Sequence, residues 1–267
     1  MKEFTKKYLT PHLKRFLTPQ QFVGLCKLRD HLLSCVYADD LKRLAAIHGT
    51  DKWGSHWYVQ HYEKHFRHLK TKNLKVLEIG VGQGARPTEG GASLRMWKYY
   101  FPNSVIYSLD IFDKRALQED RIKIFQGDQS DEKLLKDIFG PIAPFDIIID
   151  DGSHISKHVI ASFKALFPLL KTGGIYVVED TQTSYFPKMG GDSANLNNPD
   201  TSLNFFKNLT DGLNYAEFIR PGYVPSYFDK TIVSMHFYHN LVFIYKGENN
   251  EGSNLIVNND TDMESIK

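Results

Sequence analysis

Cysteine is nearly absent: 267 residues contain two, Cys26 and Cys35. At helical spacing they stand roughly 13 Å apart, too far for a disulfide. No CxxC pair or Cys-His cluster offers structural zinc, and free thiols fit a reducing compartment. Long apolar runs are missing too, so no segment reads as a membrane span. The first fifteen residues carry Lys2, Lys6, Lys7, Lys14 and Arg15 but lack the continuous apolar core of a signal peptide. A cytoplasmic protein with no membrane partner is therefore expected. Charge of either sign is not in excess, since 33 Lys and Arg against 31 Asp and Glu leave a formal +2. That balance gives no reason to expect nucleic acid as a partner.

A chain of this length can bury a full core, and one large domain is expected. The aromatic share of 13% points towards a ligand-binding surface. Residues 19 to 46 place Phe22, Leu25, Leu28, Leu32, Leu33, Val36, Leu41 and Leu44 at helical spacing, with Thr18 as cap and Pro19 in the first turn. This segment, 1–46, reads as a helical preamble that packs on the main domain or meets another copy in a homo-oligomer.

From residue 74 short apolar strands alternate with helical segments. The strands are Leu74–Ile79, Ser104–Leu109, Arg121–Phe125, Phe145–Ile149 and Ile175–Val178, and helices are expected near 92–100, 113–119, 131–139 and 155–170. Such alternation implies a parallel sheet covered on both faces. Thr231–Tyr238 and Leu241–Tyr245 are separated by His239-Asn240 alone, which forces an antiparallel hairpin. The expected whole is an α/β, Rossmann-like fold with a seven-stranded, mostly parallel sheet over 47–247. After about residue 248 the polar composition predicts a disordered tail, 248–267.

Val76-Leu-Glu78-Ile-Gly80-Val-Gly82-Gln-Gly84 puts glycines where a buried strand turns, so that backbone amides can approach a nucleotide. Read as Gly80, Gly82 and Ala85, the loop satisfies the dinucleotide fingerprint of a nicotinamide oxidoreductase. Other features favour S-adenosyl-L-methionine. Glu78 is acidic where dinucleotide folds continue apolar, and it can meet the ligand's amino-acid end. Asp110 ends the second strand, where a carboxylate can bind ribose hydroxyls, and Gly127-Asp128-Gln129 ends the third, where side chains meet adenine. The closing hairpin matches the seventh strand of class I methyltransferases. In the longer loop that follows, Ser93 reads as a helix cap or ligand contact.

Asp150-Asp-Gly-Ser-His154 closes one strand and Glu179-Asp180 the next, which gathers carboxylates and an imidazole on one sheet edge. An oxygen-rich cluster suits a hard divalent ion such as Mg2+, and a neighbouring histidine can act as base. Adjacent acids on a strand face opposite ways, so Asp150 and Asp151 need not both be ligands. His154 at a helix start also has a plainer use, hydrogen bonding to its neighbours. His154 and His158 have the i,i+4 spacing of a zinc pair, but Ile155 stands where HExxH requires glutamate.

At this point the chain resembles the metal-dependent sugar O-methyltransferases of macrolide biosynthesis. The resemblance covers roughly residues 46 to 247 and rests on His48-Gly-Thr-Asp-Lys52, the glycine loop, Gly91-Ala-Ser-Leu-Arg-Met-Trp97, Asp150-Asp-Gly-Ser-His154 and Val178-Glu-Asp180. It implies that Asp151, Glu179 and Asp180 bind Mg2+, with Asp151 also beside the cofactor, and that His154 is the general base. It implies an S-adenosyl-L-methionine-dependent enzyme methylating a sugar hydroxyl of a glycosylated natural product, as in antibiotic biosynthesis. The chain departs from the fuller pattern in having only a short helical segment where the mycinamicin enzyme of that family carries an extra N-terminal domain. A catechol-type methyltransferase using the same metal geometry and a non-catalytic cofactor-binding module are the other readings.

Two loops flank this edge. His48-Gly-Thr-Asp-Lys-Trp-Gly-Ser-His-Trp-Tyr58 either covers the cofactor or simply packs as an aromatic helix start, and no residue in it stands out as catalytic. Thr181 to Pro199 is long, contains paired glycines and follows the expected ligands directly, which reads as a lid or as plain surface disorder.

Overall fold

The computed structural model describes residues 17–253 and the paired short strands Ile256–Val257 and Asp260–Thr261. Among the described residues the first helix is α1, Pro19–Val36, with Thr18 as its cap and Pro19 in the first turn as expected, and a capping box completes its start. Thr18 Oγ1 accepts from the Gln21 amide at 3.2 Å, and Gln21 Oε1 accepts from the Thr18 amide at 2.9 Å. The helical segment expected over 19–46 consists of two helices. Asp40 Oδ1 accepts from the Arg43 amide and starts a second helix, α2, Leu41–His48, ended by Gly49 in the left-handed conformation. The apolar spacing also has two meanings. Leu41 and Leu44 are wholly buried, whereas Leu25, Leu28, Leu32 and Val36 of α1 are exposed.

Helix α3, Val59–Phe66, leads to the sheet strands β1, Lys75–Ile79, β2, Val105–Asp110, β3, Ile122–Gln126, β4, Phe145–Asp150, and β5, Leu170–Glu179. Between them run α4, Ala92–Tyr100, α5, Glu132–Phe139, and α6, Ser156–Leu166. After α7, Ser202–Leu209, and the short α8, Tyr227–Thr231, the hairpin β6, Ile232–Tyr238, and β7, Leu241–Lys246, completes the fold. Among the described residues, seven strands form one sheet in the order β3-β2-β1-β4-β5-β7-β6, parallel except where β7 enters antiparallel between β5 and β6. This is the expected α/β architecture with its C-terminal hairpin.

The helix expected near 113–119 is only a 3-10 turn, Arg115–Leu117. Asp113 accepts from the Arg115 amide at 3.0 Å and from its guanidinium, a local bond that competes with helix formation. Helix α6 stops at Leu166 because Pro168 follows; β5 begins at Leu170, five residues earlier than expected, with a register irregularity opposite Phe145–Ile147.

The sheet alternates its side chains between two cores. Val76, Ile106, Ile147, Ile149 and Val177 face Tyr62, Phe66, Leu94 and Trp97, while Leu77, Leu109, Ile148 and Tyr176 face Leu135, Phe139, Phe163 and Leu166. Helix α2 straddles residue 46 and joins the first of these cores. Of the tail expected to be disordered over 248–267, residues 254–255, 258–259 and 262–267 lie outside the described residues. Within them, Asn249 is fixed by its side-chain amide, which donates to the carbonyls of Gly212, Leu213 and Asp229. Strand order reverses between β1 and β4, and in open α/β sheets that point creates a crevice beyond the strands' carboxyl ends.

Candidate active site

At the end of β1 the chain must turn against the end of β4. Gly80 does so at φ +98°, and a Cβ there would sit 2.1 Å from the Asp151 carbonyl oxygen. Only glycine permits that approach. The loop is then tied to β2: the Gly80 amide donates to Leu109 O at 2.8 Å and the Val81 amide to Asp110 Oδ2 at 2.9 Å. Gly82 and Gly84 also have positive φ and face open space.

This turn floors a cavity of about 600 Å³. Gly80, Gly82, Gly84, Ser93, Asp110, Asp128, Gln129, Asp151, His154 and Asp180 all line it, so one crevice collects residues from five strand ends. Glu78 and Glu179 are not in its walls. Ser93 is not the cap of α4, whose cap is Gly91. Residues 181–199 do not line the cavity; the segment folds back on α7, where Ser184 and Ser202 share a buried hydrogen bond at 2.7 Å.

Asp150 and Asp151 separate as strand alternation requires. Asp150 is buried on the α6 side, where Ser162 donates to it and Gln129 Nε2 donates at 3.1 Å; burial pushes its carboxyl above the usual range. Gln129 Oε1 also accepts from the Ser153 amide at 2.6 Å, so Gln129 clamps the turn that carries His154. Asp128 turns to Ser130, whose amide and hydroxyl both donate to it at 2.8 Å and hold its carboxyl low.

Asp151, by contrast, faces the cavity. His154 and Asp180 both adopt left-handed backbone, at φ 57° and 53°, a conformation that costs energy in non-glycine residues and concentrates at functional sites. These turns bring His154 Nε2 to 3.9 Å from Asp151 Oδ1 and 3.6 Å from Asp180 Oδ2. Among the described residues, Asp151, His154 and Asp180 form the group whose donor atoms lie within 4.8 Å of one another. His158 has turned away to Ser153 Oγ at 3.1 Å, and His154 precedes the helix, so the pair does not share a helical face.

Asp180 is also held from the other side. Tyr58 donates to Asp180 Oδ1 at 2.6 Å, and the His56 ring stacks on Tyr58 at 4.8 Å. Burial pushes the Asp180 carboxyl up, but the Tyr58 donation and the neighbouring His154 and His56 outweigh it and leave it below the ordinary value. Burial and Asp180 together push the Tyr58 hydroxyl up, so Tyr58 stays a donor.

Behind Asp151 lies a residue that sequence reasoning did not single out. Lys52 is wholly buried, with Nζ 2.7 Å from Asp151 Oδ2, 2.6 Å from Glu179 Oε1 and 3.3 Å from Glu78 Oε1. Burial opposes its charge, but the three carboxylates dominate and hold the ammonium well above its usual pKa. One ammonium cannot offset three carboxylates, two of them buried. Burial therefore raises Glu78 to about 7 despite Lys52, and burial and Asp151 raise Glu179 well above the carboxylate range. Tyr62 also donates to Glu179. Glu78 meets Lys52 as an ion pair and interacts with the Ser93 hydroxyl. The available signal for Lys52 was its place at the end of His48-Gly-Thr-Asp-Lys52, just before an aromatic helix.

No protein-family model matches the chain. Curated proteins do match it. Demethylmacrocin O-methyltransferase of Streptomyces fradiae is 47% identical over 224 residues, which is 83% of this chain and 57% of that protein. Mycinamicin VI 2''-O-methyltransferase of Micromonospora griseorubida is 47% identical over 80% of this chain and 54% of its own length. The solved structure of MycE methyltransferase from the mycinamycin biosynthetic pathway, in complex with Mg and SAH, superposes with a TM-score of 0.80 at 45% identity over 85% of this chain and 59% of MycE. The chain belongs to the sugar O-methyltransferase family. It spans little more than half the length of these family members. The sheet with its antiparallel C-terminal hairpin is the fold that the family member MycE shares over the aligned span.

Proposed function

We propose that the protein is an S-adenosyl-L-methionine-dependent, Mg2+-dependent O-methyltransferase that acts on a sugar hydroxyl of a glycosylated natural product. The observation that carries this reading is the convergence of Asp151, His154 and Asp180 on a cavity floored by Gly80. A relative named for the 2'-O-methylation of a rhamnosyl tetracenomycin supports the substrate class, and one MycE structure contains Mg, SAH and mycinamycin VI together.

The residues fit both groups. The glycine floor that a Cβ would fill, Asp110 at the end of β2 and the Glu78 carboxylate behind the loop suit a cationic amino-acid nucleoside. The two carboxylates beside an imidazole suit a hard divalent ion, with Asp151 and Asp180 as its holders and Glu179 one carboxylate behind them. When bound, the ion acidifies a substrate hydroxyl and the cofactor offers an electrophilic methyl group.

The chain's own residues then supply position and a proton acceptor. Tyr58 holds Asp180 by one oxygen and Lys52 holds Asp151 by one oxygen, which leaves Asp180 Oδ2 and Asp151 Oδ1 directed at the His154 side. His154 Nε2 stands beyond hydrogen-bond length from both. That gap leaves the ring nitrogen free to take the hydroxyl proton as general base, and positioning does much of the remaining work. The same closeness favours a second reading, in which His154 is itself a metal ligand.

Titration of Mn2+ and S-adenosyl-L-methionine into wild-type protein and His154→Ala separates these. As base, His154 can be removed with both affinities retained while turnover on glycosides falls at least a hundredfold. Loss of Mn2+ binding in His154→Ala would make it a ligand. Failure of the wild-type protein to bind S-adenosyl-L-methionine, with tight NAD binding instead, would overturn the methyltransferase reading.

A further inference from the structure

Lys52 makes the geometry on the far side of Asp151 unusual. Its ammonium is wholly buried, and three carboxylates from three different strand ends surround it: Glu78 from β1, Asp151 after β4 and Glu179 from β5. Asp151 bridges two compartments. Its Oδ2 meets Lys52 at 2.7 Å, while its Oδ1 faces His154 in the open cluster that includes Asp180. A carboxylate shared in this way, with oxygen donors converging on both of its sides, is the arrangement that dinuclear metal sites use.

We infer that the Lys52 ammonium occupies the place of a second cation, so that the site takes a single divalent ion. The inference rests on the reading of Asp151 and Asp180 as metal holders. A lysine cannot leave, needs no free-ion concentration and brings one charge rather than two. It fixes Asp151 with Oδ1 outward whether or not an ion is bound. It also anchors the loop that closes this wall, because the Lys52 carbonyl accepts from the amides of Tyr58 and Val59, and Tyr58 in turn grips Asp180. Glu78, whose carboxylate also interacts with the Ser93 hydroxyl, reaches Lys52 through Oε1. The lysine thus joins the cofactor-side carboxylate to the metal-side carboxylate through one buried charge.

The test is the number of Mn2+ ions bound, measured by calorimetry and by metal analysis of gel-filtered protein, in wild type, Lys52→Met and Lys52→Arg. The wild type should bind one ion. Lys52→Met should unfold at a lower temperature than wild type without metal, regain most of that loss in Mn2+, and bind two ions, with the spin coupling of a carboxylate-bridged pair in its paramagnetic resonance spectrum. Lys52→Arg keeps the charge and should remain folded with one ion. A Lys52→Met protein that binds one ion with wild-type affinity overturns the inference, as does one that no Mn2+ concentration restores. A wild-type protein that binds no Mn2+ removes the metal reading itself, and the inference falls with it.

Discussion

Tyr58 and Asp180, 122 residues apart in sequence, meet through a 2.6 Å hydrogen bond in which the phenol donates to Oδ1. The bond links the loop after α2 to the loop after β5, and it decides which Asp180 oxygen remains for other work. Stacking of His56 on Tyr58 and the anchoring of the same loop by Lys52 make this wall of the crevice a single unit.

Tyr58→Phe removes the hydroxyl and keeps the ring. Loss of one charge-assisted hydrogen bond is worth about 1.5 to 3 kcal/mol. Mn2+ affinity, measured by titration, should fall by about tenfold with the fold intact. Unchanged affinity would show that the bond does not orient a ligand.

Gly80→Ala places a methyl 2.1 Å from the Asp151 carbonyl at a backbone angle that alanine resists. The backbone of either loop must move, and a cost of at least about 2 kcal/mol follows. Thermal unfolding and S-adenosyl-L-methionine titration should both show the loss. Gly82→Ala, with nothing within 4 Å of its added Cβ, should lose less stability.

Gln129 ties buried Asp150 to the Ser153 amide. Gln129→Ala leaves both partners short of a bond and should cost about 1 to 3 kcal/mol in denaturant unfolding. Gln129→Glu should be worse than alanine at neutral pH, because it sets a second carboxylate against Asp150. Equal stability of the two variants would refute that account.

His65 gives the fold a pH dependence. Its ring is stacked on Phe243 at 4.0 Å, bonded to the hydroxyls of Tyr245 and Tyr238, and faced by His236, Lys64, His61 and His68. Burial, then those neighbouring charges, lower its pKa from 6.5 to about 4. The unfolded chain therefore takes up this proton first as pH falls. Its contribution is complete above about pH 6.5 and declines towards pH 4, by about 1 to 2 kcal/mol. Unfolding temperatures between pH 7.5 and 4.5 should fall more steeply for wild type than for His65→Gln. Parallel curves would exclude this residue as the cause.

Thorough chelation should abolish methyl transfer to glycosides and leave S-adenosyl-L-methionine binding in place, with Mg2+ restoring turnover. Full activity in chelator would reject a metal role for Asp151 and Asp180.

The sequence alone determined what depends on neighbours along the chain. Buried parallel strands read as apolar runs because both faces are covered, and a two-residue link between β6 and β7 admits only a hairpin, so the sheet and its reversed strand were legible. Acids and glycines at strand ends could likewise be assigned to one edge, since parallel strands share a direction. The 3-10 turn at Arg115–Leu117 and the break before Leu41 escaped because single aspartate side chains, Asp113 and Asp40, redirected the backbone against an otherwise helical pattern. Tertiary structure alone decided partners. Lys52 lies 99 residues from Asp151 and 127 from Glu179, and nothing in local spacing announces that its charge is buried among them. Which oxygen of Asp151 faces His154, and which of Asp180 is left by Tyr58, follows from three-dimensional closure of the 49–58 loop on the sheet edge. Hydrogen bonds and ion pairs act over a few ångströms of space, and sequence distance does not measure that.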